Sequence, residues 1–264
     1  MDRVRIAELL QPFLEASPHP SRLSTHQLDQ ISTYIDLLLR WNARINLTAI
    51  RTPEQIVTRH FGESLFAAWH LLPSLTANSV TQEANSCCGK ADGPTPAGAE
   101  PQEPSDALSA QPKPARHSLL VDLGSGAGFP GLPAKIWSPK TPVTLIESNQ
   151  KKVAFLREVI RALTLTDIDV YPARAETFSS RATLVTLRAV EQFETILPVA
   201  TALLAPNATL ALLIGASQVA KAKSLAPHLS WHAPITIPDS EARIILTAQA
   251  ILPEPGEATS GLKT

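Results

Sequence analysis

The chain has little of what marks secreted, metal-bound or membrane proteins. Only two of its 264 residues are cysteine, Cys87 and Cys88, and they sit side by side in a polar stretch. That arrangement offers neither a disulfide framework nor metal-ligand spacing. No apolar run approaches the roughly 20 residues that a membrane-spanning helix needs. Residues Met1 to Glu15 carry acids and no uninterrupted apolar core, unlike a secretory signal. Charge of one sign is missing as well: 23 Lys and Arg meet 24 Asp and Glu, for a net charge of −1. Nothing global therefore announces nucleic acid, and any such contact must come from a local patch. The expectation is a soluble, cytoplasmic, monomeric protein without metal.

What is present is an ordinary core, with 44% hydrophobic residues, and a length that allows one large domain or one domain plus a small one. Ile6, Leu9, Leu10, Phe13 and Leu14 keep a helical stripe, which Ser17-Pro18-His19-Pro20 ends. Ser24 and Gln27 have the spacing of a capping box. Behind them Leu28, Ile31, Ile35 and Leu38 form a second helical face running to about Arg44. Thr52 and Pro53 open a third helix, carried on by Val57, Phe61, Leu65, Ala68 and Leu72. Residues 1–77 thus read as a helical extension. Arg40, Arg44, Arg51, Arg59 and His60 gather there around Trp41, opposed only by Glu54. They are either a solvated helix end or a strip for a phosphate backbone.

From residue 78 to 117 the composition changes. Six prolines appear, from Pro94 to Pro114, and within residues 78–115 Lys90 and Lys113 face Glu83, Asp92, Glu100, Glu103 and Asp106. So little apolar surface predicts a disordered linker or insertion. From 118 to 264 strand and helix patterns alternate. Leu119–Leu123, Val143–Ile146, Ile168–Tyr171, Leu184–Leu187 and Ala208–Ile214 read as strands, and a closing pair follows at Ile235–Ile237 and Ile244–Leu246. Repeated β–α units predict an α/β fold with a mostly parallel, doubly wound sheet.

The first strand leads into Asp122-Leu123-Gly124-Ser125-Gly126-Ala127-Gly128-Phe129-Pro130-Gly131. An acid at the strand end and glycines at alternate positions differ from the G-x-G-x-x-G of dinucleotide folds. A shorter loop with an acid suits a cationic ligand, and S-adenosylmethionine fits, its ammonium facing Asp122. A plain glycine-rich turn is the alternative. Ligands of such sheets bind at the carboxyl ends of the strands. Glu147 closes the second strand, where a carboxylate can accept both ribose hydroxyls. Arg174-Ala175-Glu176 follows the third strand and Arg188 the fourth.

Taken together, these stretches resemble the RsmG, or GidB, family of bacterial small-subunit rRNA methyltransferases. The resemblance runs through Trp41 to Ile50, Arg59-His60-Phe61 with Ser64-Leu65, Asp122 to Pro133, Lys151-Lys152-Val153, Arg174-Ala175-Glu176 and Arg188-Ala189-Val190. It implies a Rossmann-like, class I S-adenosylmethionine-dependent methyltransferase. The implied reaction is methyl transfer to N7 of a guanine in the 530 loop of 16S rRNA, with the small ribosomal subunit or its assembly intermediate as partner. By that resemblance Gly124, Phe129, Ala175, Glu176 and Arg188 are cofactor contacts, joined by Asp122, Gly126, Gly128 and Glu147 from the loop and strand-end reading. The chain departs from the family at Ile214, where Lys is common, and in its longer segment before Ser118.

A guanine N7 target agrees with the chemistry. N7 keeps a free lone pair on the major-groove edge, so its methylation requires no general base, and none is obvious. Cytosine-carbon methylation needs a cysteine nucleophile, and Cys87-Cys88 lie in the linker. RNA candidates are Arg40, Arg44, Arg59, His60, Lys151 and Lys152, with Lys135, Lys140, Arg157 and Arg161 beside them. A small-molecule methyltransferase and a non-catalytic assembly factor are the competing readings.

Overall fold

The computed structural model describes residues 1–16, 22–72, 120–188, 193–240 and 242–250. The expected linker at 78–117, both cysteines and the Ala189-Val190 pair lie outside the described residues. Described residues on either side of segment 73–116 form one compact unit.

Helix α1 (Arg3–Glu15) starts on Asp2, whose side chain accepts the Arg5 N–H, and buries Ile6, Leu10, Phe13 and Leu14. Helix α2 (Thr25–Asn42) has the Ser24–Gln27 capping box. It stops two residues short of the expected end because Asn42 turns the chain: its Oδ1 accepts the Leu47 and Thr48 N–H groups and its Nδ2 donates to the Thr48 carbonyl. The third helical stretch is not uniform. A short α3 (Pro53–Gln55) leads into a π-helical run, Ile56–Gly62, and then α4 (Glu63–Leu71). π-helical turns often occur where function needs side chains re-phased. This one carries Arg59 and His60. Gly62 belongs to it because Phe13 packs 2.5 Å from where a Cβ would stand.

The α/β part runs β1 (Leu120–Leu123), α5 (Gly131–Trp137), β2 (Val143–Ile146), α6 (Gln150–Ala162), β3 (Ile168–Tyr171), β4 (Ala182–Arg188), α7 (Phe193–Ala202), β5 (Leu204–Gly215), α8 (Val219–Leu225), β6 (Leu229–Trp231), β7 (Ile235–Thr236) and β8 (Arg243–Ala250). The sheet order is β3-β2-β1-β4-β5-β8-β6, with β7 also on β8. Strands β1 to β5 pair in parallel, and β8 is antiparallel to β5. Strands β1 and β2 are buried throughout, as in parallel strands covered on both faces. This is a Rossmann-like sheet whose order reverses at β1, and such switch points are where ligands sit. The expected closing pair exists, but β8 pairs mainly with β5, from Thr209↔Gln249 to Gly215↔Arg243. Strand β6, three residues long, is too short to show a period.

Helix α2 seats on this sheet through polar side chains. Gln27 donates to the Ile136 carbonyl at 2.8 Å and Gln30 to the Leu163 carbonyl at 3.1 Å. Each satisfies a carbonyl at a helix C-terminus that has no partner within its own helix. Arg40 and Trp41 both bond the Glu158 carboxylate on α6.

Candidate active site

At the end of β1 the backbone enters the left-handed region three times, at Gly124 (φ +67°), Gly126 (φ +57°) and Gly128 (φ +89°). Only glycine does this without steric cost. The loop is tied down by its own bonds: Ser125 N–H to the Ile146 carbonyl, Ser125 Oγ to the Asp122 carbonyl, and Leu132 N–H to the Gly128 carbonyl. The glycines divide into two kinds. A Cβ on Gly124 would meet nothing within 4 Å, and one on Gly126 only the Gly124 carbonyl at 3.7 Å. A Cβ on Gly128 would strike Leu132 and stand 2.5 Å from the Tyr34 hydroxyl; one on Gly131 would stand 2.8 Å from Asp122 Oδ2. The first pair therefore faces an open cradle and the second is wedged against protein. A cofactor fits the first pair.

Asp122 is corrected by the structure. It is 1% exposed. Its Oδ1 accepts the Thr186 hydroxyl at 2.8 Å and its Oδ2 the Gly131 N–H at 3.2 Å. The carboxylate is turned inward and braces the loop from beneath instead of facing a ligand ammonium. Burial lifts its pKa to about 6, against the hydrogen bonds from Thr186, Ser125 and Gly131. Glu147 lies where expected, closing β2 against the loop. Its Oε2 accepts the Gly126 N–H at 2.9 Å and its Oε1 the Asn149 N–H at 2.8 Å. Ala175 is buried and Glu176 exposed, on a 3-10 turn after β3.

Phe129 packs into a cluster that the sequence does not reveal. Its ring stacks near Tyr34 (5.3 Å, 4°) and His60 (4.7 Å, 17°) and meets the edge of Phe61 (5.2 Å, 86°). The Arg188 guanidinium carbon lies 5.9 Å from its centroid. The Tyr34 hydroxyl donates to the Ala127 carbonyl within the loop. Helix α2 thus reaches the glycine loop directly.

Arg188, at the end of β4, has a largely covered side chain bound to the N-terminal helices. Its Nη2 donates to Glu63 Oε2 at 2.9 Å and to the Arg59 carbonyl, and its Nη1 to Ser64 Oγ at 3.4 Å. Burial lowers its pKa to about 10, so it stays cationic at neutral pH. Glu63 is itself 1% exposed and also meets Arg59 Nε at 3.3 Å and Arg243 Nε at 2.9 Å. The Arg243 contact is an ion pair without hydrogen-bond alignment. No motif in the sequence marks Glu63, Tyr34, Thr186 or Arg243 as part of the site. Glu63 next to Arg59 in the Arg-His-Phe-Gly-Glu stretch was the one available signal.

The basic candidates separate. Arg44 and Lys151 are exposed and Lys152 half-buried on the first turn of α6. Arg40 is committed to Glu158 and Arg59 to Glu63. His60 is corrected: burial, then the charges of Arg188, Arg243 and Arg59, push its pKa down to about 3, so it supplies no positive charge to RNA. Its Nε2 bonds Thr48 Oγ1 at 2.8 Å. Lys135 is also corrected. It is fully buried, and its Nζ donates to the carbonyls of Pro139, Thr141 and Asp167.

These shifts set a pH response. Unfolded His60 takes up a proton below about 6.5 and the folded form only below about 3, so its contribution is present above 6.5 and lost as pH falls. Asp122 acts oppositely: its folded pKa lies above 3.8, so it favours the fold as pH drops through 6. The two oppose each other between about pH 4 and 6. His60→Phe removes one limb, so its melting temperature, relative to its own value at pH 7, should fall less than that of the parent between pH 6.5 and 4. Parallel curves for parent and variant would refute the assignment.

The GidB family model, rRNA small subunit methyltransferase G, matches residues 27–79 and 105–236. Ribosomal RNA small subunit methyltransferase G of Roseiflexus sp. (strain RS-1) is 34% identical over 249 residues, spanning 88% of this chain and 87% of that protein. The protein of the same name from Nitrosomonas europaea is 31% identical over 173 residues, 66% of this chain and 60% of that one. Among solved structures, P. horikoshii TYW2 in complex with MeSAdo aligns at a TM-score of 0.43 with 17% identity, covering 50% of this chain and 56% of that chain. The family match runs from helix α2 through the α/β part as far as β7, and the chain belongs to the rRNA small subunit methyltransferase G (GidB) family.

Proposed function

We propose that this chain transfers a methyl group from S-adenosylmethionine to N7 of a guanine in the 530 loop of 16S rRNA, in the small subunit or an assembly intermediate, and works as a cytoplasmic monomer. Membership of the family supports the methyl donor and the rRNA class of substrate. One observation carries the choice of N7: no described carboxylate or imidazole packed against the loop is placed to act as a base, the carboxylates because they are engaged and His60, whose Nδ1 has no partner, because burial and neighbouring arginines make it a weak base. Asp122 and Glu147 accept loop N–H groups, Glu63 faces three arginines, and His60 is pushed far down from its ordinary basicity. A nucleophile with a free lone pair needs none of them as a base.

Gly124, Gly126, Glu147, Ala175, Glu176 and Arg188 are the residues that would hold the cofactor. Bound there, it supplies a methyl group on a cationic sulfonium. The chain's own contribution is positional. The braced glycine loop leaves open space over Gly124 and Gly126, Glu147 closes the β2 side, and Arg188 holds the β4 side against Phe129. Holding two reactants in line accounts for much of the acceleration in such a reaction. The target base must be unpaired or extruded to reach the site.

The test uses labelled S-adenosylmethionine and small-subunit rRNA from cells lacking this modification. Label is expected at N7 of one guanine in the 530 loop. No transfer to RNA, or transfer to another atom, refutes the proposal; transfer only to a small molecule supports the competing methyltransferase reading.

A further inference from the structure

Among the described residues, the charges around Glu63 do not balance. One buried carboxylate faces three guanidinium groups, Arg59 from the π-helical run, Arg188 from the end of β4 and Arg243 from the start of β8. Burying an excess of like charge is unfavourable unless a counter-ion arrives. The three arginines are used differently. Arg188 is 7% exposed by side chain and spends its Nη atoms on Glu63, Ser64 and the Arg59 carbonyl. Arg59 and Arg243 are 50% and 26% exposed and approach Glu63 through Nε. Their Nη atoms have no partner among the described residues. Both Nε atoms lie within 3.3 Å of one carboxylate, so the two guanidinium groups are neighbours. A guanidinium held by Nε leaves its Nη pair free, and such forks match the oxygens of a phosphate.

We propose that Arg59 and Arg243, braced by Glu63, form a subsite for a phosphodiester of the RNA strand beside the reacting guanine. The inference rests on the rRNA reading above. The field of these arginines also reaches His60, whose protonation they oppose. The same chemistry would suit the carboxylate of the methyl donor. The RNA phosphate is favoured because neither Arg59 nor Arg243 lies on the glycine loop or on the turn after β3. Arg188, which lies against Phe129, is the arginine placed for the cofactor side.

Arg59→Gln, Arg243→Gln and Arg243→Lys in the full chain test this, with a 16S fragment containing the 530 loop, by fluorescence anisotropy between 50 and 200 mM KCl. Each Gln variant is expected to lower the slope of log K against log salt by about 0.7 to 1, one phosphate contact fewer. Arg243→Lys is expected to keep the slope but weaken binding, because the fork is lost. Affinity for S-adenosylmethionine, measured by calorimetry, is expected to stay within twofold. Unchanged slopes in folded variants overturn the subsite. A tenfold loss of cofactor affinity with an unchanged slope overturns it in favour of the donor carboxylate. Arg59→Gln, at a half-exposed position, keeps the test decisive if Arg243→Gln fails to fold. A parent protein that does not bind the fragment at all refutes the rRNA reading instead.

Discussion

Glu63→Ala is expected to lose about 3–5 kcal/mol of folding stability, the cost of leaving buried charges without their partner. The loss comes chiefly from Arg188, whose side chain is 7% exposed and whose carboxylate partner among the described residues is Glu63. Arg243 adds to it, at 26% exposure. Arg59 contributes little, because half of its side chain reaches solvent, where an ion pair is worth at most about 1 kcal/mol. Glu63→Gln keeps an oxygen to accept from Arg188 but removes the charge, so it should fall between Glu63→Ala and the parent. Urea unfolding with a two-state fit gives the comparison. A loss below about 1 kcal/mol for Glu63→Ala would mean that water or rearrangement compensates the arginines, and that the carboxylate does not anchor β4 to the helices.

The sequence made legible whatever depends on neighbours in the chain. Alternate glycines after an apolar run specify a left-handed loop, and the structure has positive φ at all three. The capping box at Ser24 and Gln27 is local and is present. The β–α alternation gave the parallel sheet, because buried parallel strands are continuous apolar runs. What stayed hidden depends on distance. Glu63 and Arg243 are far apart in the chain, and only the β5–β8 pairing brings Gly215 opposite Arg243 and so places it at the site. Burial of a charge cannot be read from its type. Lys135 looked like one more exposed cation, yet its ammonium caps three carbonyls in the interior. His60 looked like a phosphate ligand, but an arginine environment and burial keep it neutral. The inward aim of the Asp122 carboxylate is hidden in the same way, because the residues that hold it include Thr186, on a strand that neighbours β1 only in the folded sheet.

The two kinds of glycine in the loop predict opposite phenotypes. Gly126→Leu has room in the protein, since a Cβ there meets only the Gly124 carbonyl at 3.7 Å. Its cost to the fold is the left-handed backbone, about 1–2 kcal/mol. The added side chain occupies the cradle, so affinity for S-adenosylmethionine should fall by roughly a hundredfold, about 2.8 kcal/mol. Gly128→Ala carries the same backbone penalty, and its methyl group collides with Leu132 and with the Tyr34 hydroxyl, which is buried and bonded to Ala127. Strain and overpacking together should lower its stability by about 2–4 kcal/mol. The cofactor affinity of the fraction that stays folded should change far less than in Gly126→Leu, because the collision is with the protein and not with the cradle. Thermal unfolding and calorimetry on the two variants separate these effects. Unchanged cofactor affinity in folded Gly126→Leu would remove the loop from the binding site, and equal stability losses in both variants would show that Gly128 is not wedged against α2.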